Sequence, residues 1–90
     1  MSLSNPVAPT GWTQAGDSLQ RKFPTGSFRR GTQLINAIAT LADAANHHPD
    51  IVLSYSSVVV ALTTHDQGQV TTKDVTLAQE INQAWDNFNR

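Results

Sequence analysis

The chain is expected to fold as an α+β domain, a four-stranded, mainly antiparallel sheet with two helices packed on one face. The expected order is β-β-α-β-β-α. Three observations carry this. Apolar and polar residues alternate from Ser18 to Phe23, the period of a half-buried strand. From Phe28 to Ala45 apolar residues recur at spacings of three and four, the period of an amphipathic helix. Two short β-branched runs then lie between Pro49 and a second helical pattern that ends near Phe88.

Met1 to Thr10 is polar, contains Pro6 and Pro9 and shows no periodicity. It is expected to be a flexible or loosely docked lead-in to a single domain over residues 11–90. Gly11 to Gln14, with Trp12, is read as a short strand. Ala15-Gly16-Asp17 is a turn signal, so a hairpin to the strand Ser18–Phe23 is expected. Arg21 shares a side with Leu19 and Phe23, and its stem is expected to cover apolar surface while the guanidinium reaches out. Pro24-Thr25-Gly26-Ser27 ends that strand, and Ser27 or Thr25 can cap the helix that follows. Pro49 disfavours helical backbone at His48, so this helix should stop near Asn46-His47. Asp50 to Leu53 and Val58 to Thr64 are the remaining strands, the second strongly β-branched. Gly68 hinges the next loop. Thr71 opens the last helix with Asp74 three residues on, the spacing of a capping box. Val75, Ala78, Ile81, Trp85 and Phe88 supply its apolar stripe.

Composition excludes several functions. Ninety residues suffice for one domain and not for two. The formal charge is -1 and the only adjacent basic pairs are Arg21-Lys22 and Arg29-Arg30. The basic face of a nucleic-acid binder is therefore missing. Without cysteine there is no disulfide, thiolate nucleophile or Cys-ligated zinc. The apolar run Val58–Leu62 is too short to span a bilayer, and the amino terminus lacks a signal-peptide pattern. A cytoplasmic protein is expected.

The chemistry concentrates between Asp43 and Asp74. All three histidines, His47, His48 and His65, fall there. Histidine can give and take a proton near neutrality. Asp43 and His47 are four apart, so on one helix their side chains would meet, the carboxylate orienting the ring. His47 also sits at a helix carboxyl end, which favours a cation. Pro49 sends His48 in another direction, and His65 ends a strand level with Thr63, Ala61 and Val59. Taken singly, each has a plainer explanation: a helix-end cap, a turn residue, a solvated strand end, and for Asp74 the capping box. Three histidines could hold zinc with an open position. No His-x-His or His-x-x-x-His spacing is present, so metal is the weaker reading. No serine lies in a nucleophile elbow. Tyr55 is expected to pack with its hydroxyl at the surface.

The combined spacing is more specific than any member. Asp43, Asn46-His47-His48-Pro49, Tyr55, Leu62-Thr63-Thr64-His65-Asp66 and Asp74 together resemble the signature of the pterin-4a-carbinolamine dehydratases. The likeness extends from Trp12 through Leu19, Arg21, Phe23 and Phe28 to the last helix. It implies the same α+β fold, assembled as a homodimer or homotetramer through an extended sheet. It implies dehydration of 4a-hydroxytetrahydropterin to quinonoid dihydropterin, which lets an aromatic amino acid hydroxylase recycle its tetrahydropterin. The pterin is the substrate, and neither metal nor redox cofactor is called for. On the family pattern His47 and His65 are the acid/base pair and His48, also catalytic, chiefly holds the pterin. Asp43, Asp74 and Thr64 join His48 among the residues that bind or support the substrate. Asp43 stands where glutamate is more usual, Ile51 where an aromatic is common, and Gly68-Gln69-Val70 where a second glycine and a leucine are common. None of these changes removes a proton-transfer group. The competing reading is an interaction protein on the same scaffold, since relatives act as a dimerisation cofactor for a transcription factor or in assembly of a carbon-fixing enzyme.

Overall fold

A computed structural model of the chain describes residues 7–89. The expected lead-in over residues 1–10 lies outside the described residues for its first six. The strands are β1 (Thr13–Ala15), β2 (Ser18–Phe23), β3 (Asp50–Leu53) and β4 (Val58–Leu62). The helices are α1 (Phe28–Ala45) and α2 (Thr72–Phe88), so the order is β-β-α-β-β-α as expected. The sheet runs β1-β2-β4-β3 with every neighbouring pair antiparallel.

Alternation decides which face is covered. Leu19 and Phe23 of β2 lie opposite Leu62 and Val58 of β4. These four, with Val60, are fully buried. They join Leu34 and Ile38 of α1 and Leu77, Ala78 and Ile81 of α2 in one cluster, so both helices cover the same face. Side chains of opposite parity, such as Gln20, Lys22 and Val52, stay exposed on the other face. In α1 the buried positions are Gly31, Leu34, Ile38 and Ala42, a single helical stripe. Gly31 marks the closest approach to the sheet, since a Cβ there would lie 2.5 Å from Leu53 Cδ1.

The two helices pack side by side in opposite sense. At one end Arg30, near the start of α1, donates to Asn89 Oδ1 beyond α2 and lies 4.3 Å over the Phe88 ring. At the other end the residue after Asn46 reaches Asp74 in the first turn of α2. This antiparallel packing brings the carboxyl end of α1 to the amino end of α2.

Some boundaries and orientations differ from expectation. β1 starts at Thr13, because Trp12 N–H closes a turn on the Pro9 carbonyl. β4 ends at Leu62, because Thr64 leaves the ladder and pairs with Gln69 alone. Phe28 is half exposed and Tyr55 largely so. Phe28 is the first residue of α1, one turn before the buried stripe begins. Tyr55 sits in the β3–β4 connection, where no element covers it. Arg21 does not reach out. Its guanidinium lies 4.6 Å over the Phe23 ring and its Nη1 donates to Asn82 Oδ1 at 2.7 Å. Trp12 Nε1 donates to the same oxygen at 2.8 Å, and Asn82 Nδ2 donates to the Thr10 carbonyl at 2.9 Å. Asn82 thus ties the segment before β1 to α2.

Replacing Asn82 by alanine leaves the buried Trp12 indole N–H without its acceptor and Arg21 Nη1 with only the Thr10 carbonyl at 3.4 Å. Urea unfolding should show a loss of about 1–3 kcal/mol, the cost of stranding a buried donor. An unchanged midpoint would mean that water replaces the amide.

Candidate active site

Helix α1 closes with Asn46 in the left-handed region at φ 51° and ψ 44°. Asn46 N–H bonds the Asp43 carbonyl at 3.2 Å, and His47 N–H bonds the Ala42 carbonyl at 3.1 Å. This is a Schellman ending, with asparagine in the place glycine usually takes. It turns the chain out of the helix before His47. The expected Asp43–His47 pair is therefore not formed, because the four-residue rule holds only while both residues are helical. Asp43 Oδ1 meets His48 Nε2 instead, at 2.9 Å, with both side chains more than half exposed. An ion pair so exposed contributes little to stability.

His47 turns inward. Its Nε2 lies 2.5 Å from Asp74 Oδ1. Asp74 is fully buried, while the His47 side chain keeps 13% of its surface. The second carboxylate oxygen accepts from Thr64 Oγ1 at 2.8 Å and from the Thr71 N–H at 2.9 Å. Thr71 is the amino cap of α2, so the expected capping box is formed, and the helix amino end favours the negative charge. A buried carboxylate is costly unless hydrogen-bonded. Here donors from three separate segments surround it.

The proton directions follow from counting. Thr64 has one hydroxyl proton and donates it to Asp74, so it accepts from Thr71 Oγ1, 2.7 Å away. Thr71 Oγ1 in turn accepts from the Lys73 N–H. Every proton in the chain points to the carboxylate. With Asp74 as a carboxylate, Oδ1 accepts from an Nε2–H of His47. No described residue bonds His47 Nδ1. Asp74 and Thr64, expected among the substrate-binding residues, have their polar atoms engaged with each other and are buried.

The remaining residues gather at the end of β4. The last ladder pairs there are Leu19↔Leu62 and Asp50↔Ala61. Past these pairs the ladder stops, and Thr64 bridges to Gln69 alone. Successive side chains alternate, so Thr64 faces the helices and Thr63 the open side. Thr63 Oγ1 donates to the Asp17 carbonyl at 2.5 Å. An open cleft of about 400 Å³ is lined by Asp17, Ser18, Thr63, His65 and Gly68. His65 thus lines this cleft, just past the end of β4. Asp17 and Ser18 were not among the candidates, because the stretch containing them carries only a turn signal. The hairpin register that brings them to Thr63 is a long-range pairing. Among the described residues no group of three His, Cys, Asp or Glu side chains is placed to hold a metal ion, and no helix is long and apolar enough to cross a membrane.

Comparison with known proteins gives consistent matches. Residues 2–84 match the family model described as Pterin 4 alpha carbinolamine dehydratase. A relative from Thermomicrobium roseum, provisionally named a pterin-4-alpha-carbinolamine dehydratase, is 41% identical over 71 residues. The match covers 79% of this chain and 76% of that protein. A relative of the same provisional name from Roseiflexus sp. is 42% identical over 74 residues, 82% of this chain and 80% of its own. Among solved structures, a transcriptional coactivator/pterin dehydratase from Brucella melitensis superposes with a TM-score of 0.78 at 27% identity. It covers 83% of this chain and 82% of its own. A pterin dehydratase-like protein identified as a RuBisCO assembly factor in the alpha-carboxysome shares the fold, with a TM-score of 0.66 at 17% identity. There the cover is 82% and 86%.

Asp74→Asn keeps the shape and places an NH₂ group against donors. The expected loss of stability is about 1–3 kcal/mol by chemical denaturation. If the amide nitrogen faces His47, the ring must change to the Nδ1–H tautomer to accept from it. Nitrogen NMR of the His47 ring should report that change. A ring still carrying its proton on Nε2, in a variant of unchanged stability, would rule out the network as drawn.

Proposed function

Because the chain belongs to the pterin-4a-carbinolamine dehydratase family, we propose that it dehydrates 4a-hydroxytetrahydropterin to quinonoid dihydropterin. The observation that carries the reading is the anchored His47. Its Nε2 is committed to buried Asp74, which leaves Nδ1 as its single working nitrogen. His65 supplies a second imidazole at the same strand end, in a cleft open to solvent.

The reaction removes water across the C4a–N5 bond of the pterin. The proton on N5 goes to a base, the C4a–O bond breaks, and an acid protonates the departing hydroxyl. One imidazole takes a proton while the other gives one, so the pair ends each turnover with its protonation reversed and recovers by exchange with solvent. Proton transfer at mild pH is work suited to histidine. Asp74 and Thr64 act through His47: they hold its tautomer and ring plane and do not touch the substrate. His48, held by Asp43 on the exposed rim, steadies the pterin. The reading carries with it a homo-oligomer, a cytoplasmic setting and a functional link to an aromatic amino acid hydroxylase.

The test is decay of synthetic 4a-hydroxytetrahydropterin followed by ultraviolet absorbance. The wild-type protein should accelerate it. His47→Ala and His65→Ala should each slow the catalysed rate by about 10²–10⁴-fold, the usual worth of a positioned acid or base. No acceleration by the wild type, or full activity in both variants, would sink the proposal.

A further inference from the structure

We infer that Asp17 is a specificity-determining residue, its carboxylate pairing with the N3–H and 2-amino edge of the pterin. The identity of the ligand rests on the dehydratase reading; the placement of Asp17 does not. Asp17 is the one acidic residue lining the cleft that His65 lines. It is exposed, and no described residue pairs with its side chain.

Its position is held firmly. Ala15 pairs with Ser18, so Gly16 and Asp17 form a two-residue hairpin loop. Gly16 takes φ 63° and Asp17 does not take a positive φ, the pattern of a II′ turn, which suits the twist of the flanking strands. The Asp17 carbonyl is also clamped by Thr63 Oγ1, one residue from Thr64 and the Asp74 network. A carboxylate in a free surface turn samples many positions. This one is carried by a turn fastened to Thr63, two residues before His65.

The ligand chemistry matches. The 2-amino-4-oxo half of a pterin sets N3–H and an amino hydrogen side by side, pointing the same way. Two carboxylate oxygens accept such a pair in parallel, as they do from a guanidinium. With that edge on Asp17, the other ring of the pterin extends along the cleft, where His65 stands. A lumazine, which carries an oxo group in place of the 2-amino group, would set an oxygen against the carboxylate. A site built to accept from a substrate N–H rejects an analogue that lacks it.

Binding of an oxidised pterin and of the matched lumazine is measured by calorimetry on wild type, Asp17→Asn and Asp66→Asn. Asp66 lies in the turn after His65, is exposed and does not line the cleft, so it controls for loss of charge nearby. Wild type and Asp66→Asn should prefer the pterin by about tenfold or more, and Asp17→Asn should bring the preference close to one. In the dehydration assay Asp17→Asn should raise KM by a similar factor and leave kcat within about twofold, the mark of lost uniform binding. Undiminished preference and KM in Asp17→Asn would overturn the inference and leave the dehydratase reading intact. A wild-type protein that prefers the pterin through Asp17 but does not accelerate the dehydration would support the inference and sink that reading. Absence of pterin binding by the wild type would overturn both.

Discussion

The buried carboxylate of Asp74 is the constraint on which the site depends. It accepts from the residue that follows the α1 ending, from a threonine just past β4 and from the cap of α2. Three segments therefore have to arrive together, or a buried carboxylate loses its donors. Stranding one donor or acceptor costs on the order of a kilocalorie per mole, and a buried charge costs more. The same group caps its own helix, so the stability of α2 and the orientation of His47 are set by one side chain.

The fold supplies this convergence through the antiparallel packing of its helices. With Arg30 joined to Phe88 and Asn89 at one end, the end of α1 must meet the start of α2 at the other. The sheet adds the third party, since β4 runs beneath both helices and its far end delivers Thr64 inward and Thr63 outward. One strand end therefore serves an inner network with His47 and an outer cleft with His65. The two imidazoles are thus held to different degrees of exposure, His47 anchored and mostly covered and His65 exposed.

Much of the fold was legible because local patterns and the buried faces agree. The alternation from Ser18 to Phe23, the stripe through Leu34, Ile38 and Ala42, and the capping box at Thr71 and Asp74 all depend on neighbours within a few residues. The errors share a different cause. Asp43 and His47 looked coupled because four-residue spacing was carried past the end of the helix, beyond an asparagine whose left-handed backbone ended it. Arg21 looked like a surface residue because its partner Asn82 is 61 positions away. Asp17 and Ser18 carried no signal beyond a turn, because what gives them meaning is the pairing of β2 with β4.

By itself, the sequence determined the order and type of the elements, the family and the set of residues able to move protons. These follow from periodicity, capping chemistry and the joint spacing of His47, His48, His65 and Asp74. Only the tertiary structure decided which acid holds which histidine. Asp74 took His47 and Asp43 took His48, because the helix ending reversed the direction in which each ring leaves the chain. It also decided that Thr64 supports from within while Thr63, His65 and the β1–β2 turn line the cleft, since a strand divides its side chains between two faces and only the packed helices say which face is inside.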